Sequence, residues 1–277
     1  LARIQRNFDR MEDEKYQPAH LYTDSRNEGW PGDAEGRTIL ALVLDAQASG
    51  RSPLYLDSLM EMYPGVVNAK GYFGEILPGK ASEQQLSSHG WVLRALCELY
   101  LWKKEEKVLG YINKIIDSLA LPTKGMHAIY PLDPAKRTGV GGVAGTTTGE
   151  YGNWLLSSDI GCDFIFLDGL VQAYEITRRE DVKPLIDEMV QLYYSMDLKA
   201  INAQTHASLT GMRALLRYFQ ITQDTTLLDA VENRFELYRT EGMTENYENY
   251  NWFGKPWWTE PCAVVDSYID ALWLWQI

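Results

Sequence analysis

The feature that most constrains this chain is a phrase that recurs along it. The segments RALCELYLWKKEEKVLGYINKI, DGLVQAYEITRREDVKPLIDEM and RALLRYFQITQDTTLLDAVENRF each read as an apolar helix, a polar turn and a second amphipathic helix. Such a unit cannot bury its apolar face alone, so neighbouring copies must pack side by side. Apolar residues keep helical spacing almost everywhere, beginning with Leu1, Ile4, Phe8 and Met11, whereas alternating strand-like runs are scarce. Ala41, Ala95, Gly169, Ala214 and Ala271 mark corresponding places, which predicts four hairpins and the first helix of a fifth, with loop insertions accounting for their uneven spacing. Pro31 and Asp33 open the first of these helices, Gly50 ends it, and Ser52-Pro53 caps the next.

The expected fold is therefore all-α, an (α/α) toroid of helical hairpins of the six-hairpin type, as one domain over residues 1–277. The last predicted helix, Ala263 to Ile277, ends on LWLWQI with no cap and no returning partner, so the native chain is expected to continue past Ile277. The chain starts without Met, which leaves open a removed leader or an excised piece.

Charge and hydropathy narrow the function classes. Acidic residues outnumber basic ones 38 to 26, the net charge is −12, and no Lys/Arg stripe stands out, so nucleic acid is not an expected partner. No apolar run reaches the roughly 18 to 20 residues of a membrane span, and the N-terminus lacks a signal-peptide profile. A cytoplasmic location and a periplasmic or secreted one after loss of a leader both stay open. Cys97, Cys162 and Cys262 are odd in number and far apart, which speaks against a disulfide framework.

Two segments interrupt the helical pattern and are the expected rim loops, where a ring of helices would carry its functional groups. The first, Leu121 to Asn153, contains GVGGVAGTTTGEYGN; it has no following Lys-Ser/Thr and so is not a phosphate loop. A lid or connector is the simpler reading. The second, Glu241 to Glu260, sets Glu245, Glu248 and Glu260 among Tyr247, Tyr250, Trp252, Phe253, Trp257 and Trp258. Carboxylates walled by aromatics suit glycosidic cleavage, in which one acid protonates the leaving oxygen and flat side chains stack on sugar. A solvated acidic loop with its aromatics turned inward is the alternative. The short GYFGEI stretch is a third, smaller candidate.

His89 and His206 lie near the start of corresponding repeat helices, so both are expected at one rim, facing one cleft. Glu260 and Cys262, two residues apart at a helix start, offer two metal-ligand types, although Glu-Pro there is also an ordinary helix opening.

Taken in order, GRTILALVLDAQASG with GYFGEI, SSHGWVLRALCELY, AQTHASLTGMRALLRYFQITQD and WTEPCAVVDS resemble the helical barrel of the β-L-arabinofuranosidases, glycoside hydrolase family 127, and their relatives. The resemblance spans nearly the whole chain through short motifs. It implies that His89 and His206 bind sugar, with Asp163 where the family has a third histidine. It further implies that Glu248 is the general acid/base, with Glu245 as the fallback, and that Tyr250 and Trp252 lie by the substrate; Trp257 and Trp258 join them as stacking candidates on the aromatic content of the segment. Glu260 and Cys262 match two of four zinc ligands, and the rest would lie in an adjacent Cys pair that this sequence lacks. Either that pair, with a β-sandwich, belongs to a longer chain, or this relative works without zinc and without a Cys nucleophile. The reading is a glycoside hydrolase acting on a plant or bacterial polysaccharide or oligosaccharide, with an L-arabinofuranoside as a candidate and a carbohydrate as the partner. A sugar epimerase on the same toroid and a non-catalytic glycan-binding or helical-repeat module are the alternatives.

Overall fold

The structure, a computed structural model, describes residues 2–24 and 29–277. Two short helices, α1 (Ala2–Met11) and α2 (Pro18–Asp24), precede the repeats. The hairpins pair α3 (Asp33–Ser49) with α4 (Leu56–Val66), α5 (Glu83–Lys103) with α6 (Glu106–Ile115), α7 (Phe164–Thr177) with α8 (Lys183–Ser195), and α9 (Thr205–Thr222) with α10 (Thr225–Leu237); α11 (Pro261–Gln276) follows. The markers read from sequence fall on α3, α5, α7, α9 and α11. These five pack in that order, each along the next, and form the inner layer of an all-α toroid.

Burial explains why inner and outer helices differ in sequence. Every residue of α7 from Phe164 to Tyr174 is buried, as is almost every one in the first half of α5. A helix enclosed on all sides has no solvent face and so shows little amphipathicity. Outer α6 and α10 bury only a stripe, Val108, Ile112 and Ile115 in the first, Leu227 and Val231 in the second. The inner helices also end alike. Lys104, Arg178 and Gln223 adopt left-handed φ of 55°, 52° and 61°, and each donates its N–H to an aromatic residue four back, Tyr100, Tyr174 and Phe219. Gly50 closes α3 in the same way.

Where α5 meets α7 the backbones touch. A methyl group on Gly90 would come within 2.1 Å of the Ile165 carbonyl oxygen, and one on Gly169 within 2.5 Å of the Gly90 oxygen. Only glycine allows this crossing.

Inside the ring a buried charge network joins four inner helices. Asp168 of α7 accepts from Arg94 of α5 at 2.6 Å and from Arg213 of α9 at 2.9 Å, and Arg213 also reaches Asp266 of α11 at 2.6 Å. Burial pushes the Asp168 carboxyl up, but Arg213, Arg94 and Arg217 outweigh it and hold it below the usual carboxylate range.

Sequence periodicity missed the short strands. β1 (Ala81–Ser82), β2 (Thr147–Tyr151) and β3 (Trp154–Ser157) form one small sheet in the order β1-β3-β2, and β4 (Tyr250–Trp252) pairs antiparallel with β5 (Lys255–Thr259). Both lie within or beside the rim segments, so Glu241 to Glu260 holds a hairpin rather than only a loop. The start of the second repeat helix also moves, from Ser52-Pro53 to Leu56. No helix among the described residues is long and apolar enough to cross a membrane.

Candidate functional site

The starts of all five inner helices meet at one end of the ring and enclose a cleft of about 410 Å³. Asp33 and Arg37 come from α3, Ser87 from α5, Ile165 from α7, His206 from α9, and Glu260 sits just before α11. The glycine-rich segment contributes Ala144 and Gly145, and the β4–β5 hairpin contributes Trp258. Hairpin topology causes this convergence: each connection returns the chain to the same end, so equivalent termini gather there.

Asp159 is the most perturbed carboxyl in the cleft. Its Oδ1 accepts from the Trp252 indole N–H at 2.8 Å, and its Oδ2 accepts from the Gly145 N–H at 2.7 Å. Burial pushes its pKa up to about 6; those two donors oppose the rise and the Glu260 charge adds to it. Asp33, in the same cleft, is ion-paired with Arg37 at 2.9 Å.

His206 stacks on Trp91 at 5.9 Å, nearly parallel, and its Nδ1 is hydrogen-bonded to Asp266. The buried Nε2 has no hydrogen-bond partner among the described residues. Asp266 is in turn held by Arg213, so the charge network inside the ring ends on this imidazole.

Cys262 stands beside it. Ligand atoms of His206, Glu260 and Cys262 lie within 4.8 Å of one another. Burial, then Glu260, raises the Cys262 thiol to about 11, while the Arg37 guanidinium approaches its Sγ at 4.0 Å. A free imidazole nitrogen, a carboxylate and a thiol are donors that suit zinc, and three protein ligands leave a fourth position open. The Glu260–Cys262 pair read from sequence thus gains His206.

The structure separates the other sequence-derived candidates. His89 is sealed in the core: its Nδ1 lies 2.6 Å from the Gln85 carbonyl and its Nε2 accepts from the Phe73 N–H at 2.9 Å, so the ring fastens the GYFGEI loop and does not line the cleft. Burial pulls its pKa down to about 4. Asp163 is also buried away from the cleft, 3.6 Å from the His127 Nε2, with burial and then Glu83 raising its pKa to about 8. Glu245 and Glu248 lie exposed on the turn that closes between Thr244 and Glu248, through Thr244 N–H to the Glu248 carbonyl at 2.8 Å. Neither borders the cleft. Tyr250 is half-buried in β4, Trp252 is buried against Asp159, and Trp257 and Trp258 are exposed.

Asp159 is absent from the sequence-derived candidates because it lies six residues beyond Asn153, the end of the first rim segment. The motif SSDIGCD, directly before the third inner helix, was the available signal.

No protein-family model and no curated protein matches the sequence. Among solved structures, the chain superposes on a family 76 glycoside hydrolase from a bovine Bacteroides thetaiotaomicron strain with a TM-score of 0.53 and 12% identity, over 87% of this chain and 56% of that one. The chain thus spans little more than half the length of that neighbour. The likeness is one of fold, it carries nothing specific to the β-L-arabinofuranosidases, and the fold it shows is the all-α toroid that the repeats announce.

Proposed function

We propose that this chain carries a glycosidase site in the cleft at the inner-helix starts, with Asp159 as its proton donor. The observation that supports the reading is the pairing of two unlike carboxyl groups there: Asp159, buried and raised to about 6, and the more open Glu260, whose charge helps raise it. Glycoside hydrolysis needs such a pair, one group protonated to donate and one ionised to attack or to activate water. Asp159 gives its proton to the leaving glycosidic oxygen as the bond to the anomeric carbon breaks. Water supplies the hydroxyl to that carbon, and its second proton restores the acid. The fold of the family 76 neighbour is consistent with this chemistry.

The zinc reading uses the same wall of the cleft. With zinc bound, Glu260 is a ligand and not the free carboxylate: Glu260, Cys262 and His206 would hold the ion, which would supply a Lewis acid and stabilise the Cys262 thiolate against its raised pKa. Asp266 keeps the His206 Nδ1 occupied and so leaves Nε2 as the donor atom. An L-arabinofuranoside is the first sugar to try, on the strength of the sequence resemblance. Paired-histidine epimerase chemistry finds less support, since His89 is sealed in the core and only His206 borders the cleft.

Replacing Asp159 with Asn should lower hydrolysis by at least about 100-fold, while Glu248→Gln leaves it near wild type. Reducing-sugar release from a panel of arabinofuranosides and polysaccharides measures both. A fully active D159N protein beside an inactive E248Q one would return the acid role to the exposed turn.

A further inference from the structure

Two more depressions lie by the acidic cleft: one shares walls with it, and the other is linked to it through the hydrogen bond between Gln84 and Gly145. On the first side, Ala144 and Trp258 are walls shared with a depression that Gly142, Trp252 and Trp257 complete. Trp257 and Trp258 are 59% and 46% exposed there, an unusual outlay of indole surface to water. They are also held in place. The β4–β5 pairing sets their backbone, and the Trp258 ring leans on Trp252 at 5.5 Å, which is itself fastened to Asp159.

On the second side the surface is mixed, with polar groups set among Pro31, Leu77 and Leu155. The Gly145 carbonyl accepts from the Gln84 side-chain amide at 2.9 Å and from the Trp30 indole at 3.2 Å, while its N–H holds Asp159. Gln84 in turn accepts from the Thr147 hydroxyl at 2.6 Å. Gln84 and Thr147 then face a depression of about 300 Å³ that also presents Glu75 and Ser82. Amide, hydroxyl and carboxylate groups are the partners that sugar hydroxyls require.

We propose that these three depressions are one groove, and that its ligand is a linear oligosaccharide or polysaccharide lying across Asp159. Trp257 and Trp258 form an aromatic subsite on one side, and Glu75 and Thr147 supply the polar partners of a second, mixed subsite on the other. The cleft and the polar depression are each large enough for a small ligand alone, so a groove of three exceeds what one sugar ring fills. Sugar rings offer an apolar C–H face to an indole or aliphatic wall and hydroxyl edges to polar groups, and both kinds of surface border the cleft. The proposal rests on the glycosidase reading and deepens it: the bond over Asp159 is an internal one. Cleavage takes up one water and gives two shorter chains, with the Asp159 proton on the leaving oxygen and the water hydroxyl on the anomeric carbon.

The test is a titration of the D159N protein with fluorescently end-labelled mono- to hexasaccharides prepared from arabinan, xylan and mannan. Affinity for one of these series should climb with length, and Trp257→Ala, Trp258→Ala and Thr147→Ala, each added to D159N, should weaken hexasaccharide binding by about tenfold. Matching melting curves confirm that these variants fold. Affinity independent of length, no binding by any series, or loss of self-association rather than of glycan binding in the tryptophan variants would overturn the groove. The glycosidase reading fails separately. Length-dependent binding with no bond cut by the wild-type protein removes the reaction and leaves the groove, whereas release of terminal monosaccharides alone, unchanged by Trp257→Ala, removes the groove and leaves the reaction.

Discussion

The start of α5 and the start of α9 occupy equivalent places in the repeat and both carry histidine, yet one is closed and the other open. His89 is followed by Gly90, because the backbone of α7 passes against it; His206 is followed by Ala207, where no such approach excludes a methyl group. Over His89 the GYFGEI loop folds down and donates the Phe73 N–H to its ring. Over His206 the chain leaves the Nε2 edge unpartnered beside the cleft. Equivalent repeat positions therefore decide where a side chain is delivered, and the intervening loop decides whether solvent or substrate can reach it.

The sharpest way to break this comparison is to exchange the residues that follow the two histidines. Gly90→Ala should cost more than about 4 kcal/mol, since the new methyl group meets fixed backbone at 2.1 Å and α5 and α7 must part. Chemical denaturation would show it, and a melting point within a few degrees of wild type would refute the close crossing. His89→Ala comes next, at about 3 kcal/mol, because it leaves the Phe73 N–H buried without its acceptor and opens a void beneath the GYFGEI loop.

The same histidine gives a pH signature. Its folded pKa of about 4 lies below the ordinary value of 6.5, so its contribution to stability is present above pH 6.5 and is lost as pH falls from there toward 4. His127, lowered to about 3 by burial, acts in the same direction. His89→Gln should flatten part of this acid limb in urea titrations run between pH 4 and 7; an unchanged slope would show that His89 does not titrate out of reach in the folded chain.

At the open site the effect moves from stability to turnover. His206→Ala should cut kcat by about 100-fold, worth about 2.7 kcal/mol, with a smaller change in melting temperature than His89→Ala produces. The reverse order, a large loss of stability with full activity, would make His206 another core residue. The smallest effect is Ala207→Gly, about 1 kcal/mol from helix propensity in a buried but unobstructed position. A cost equal to that of Gly90→Ala would erase the contrast.

How much of this was legible in the sequence varies by element. The hairpins were, since an apolar helix, a polar turn and an amphipathic helix repeat with recognisable phrasing, and the markers from Ala41 to Ala271 land on the five inner helices. The cleft was legible only in part. His206, Glu260, Cys262 and Trp258 were singled out and are brought together, whereas His89 and Asp163 sink into the core and Glu245 and Glu248 stay on an exposed turn. Acidic and aromatic residues adjacent in sequence share a composition but not a direction. The turn closed by Thr244 and Glu248 reverses the chain and leaves its carboxylates exposed to solvent.

The helical repeat and the gathering of equivalent helix starts at one rim are written in the order of residues, because hydrophobic periodicity is local and hairpin connection is directional. Which carboxyl has a raised pKa is settled by the folded ring. Asp159 lies 93 residues from the Trp252 indole that anchors it and 101 from the Glu260 charge that helps raise it, and burial, the largest cause of its shift, exists only once the inner-helix starts and the rim segments have packed together. Desolvation and the field of distant charges are properties of the assembled ring, so no stretch of sequence contains them.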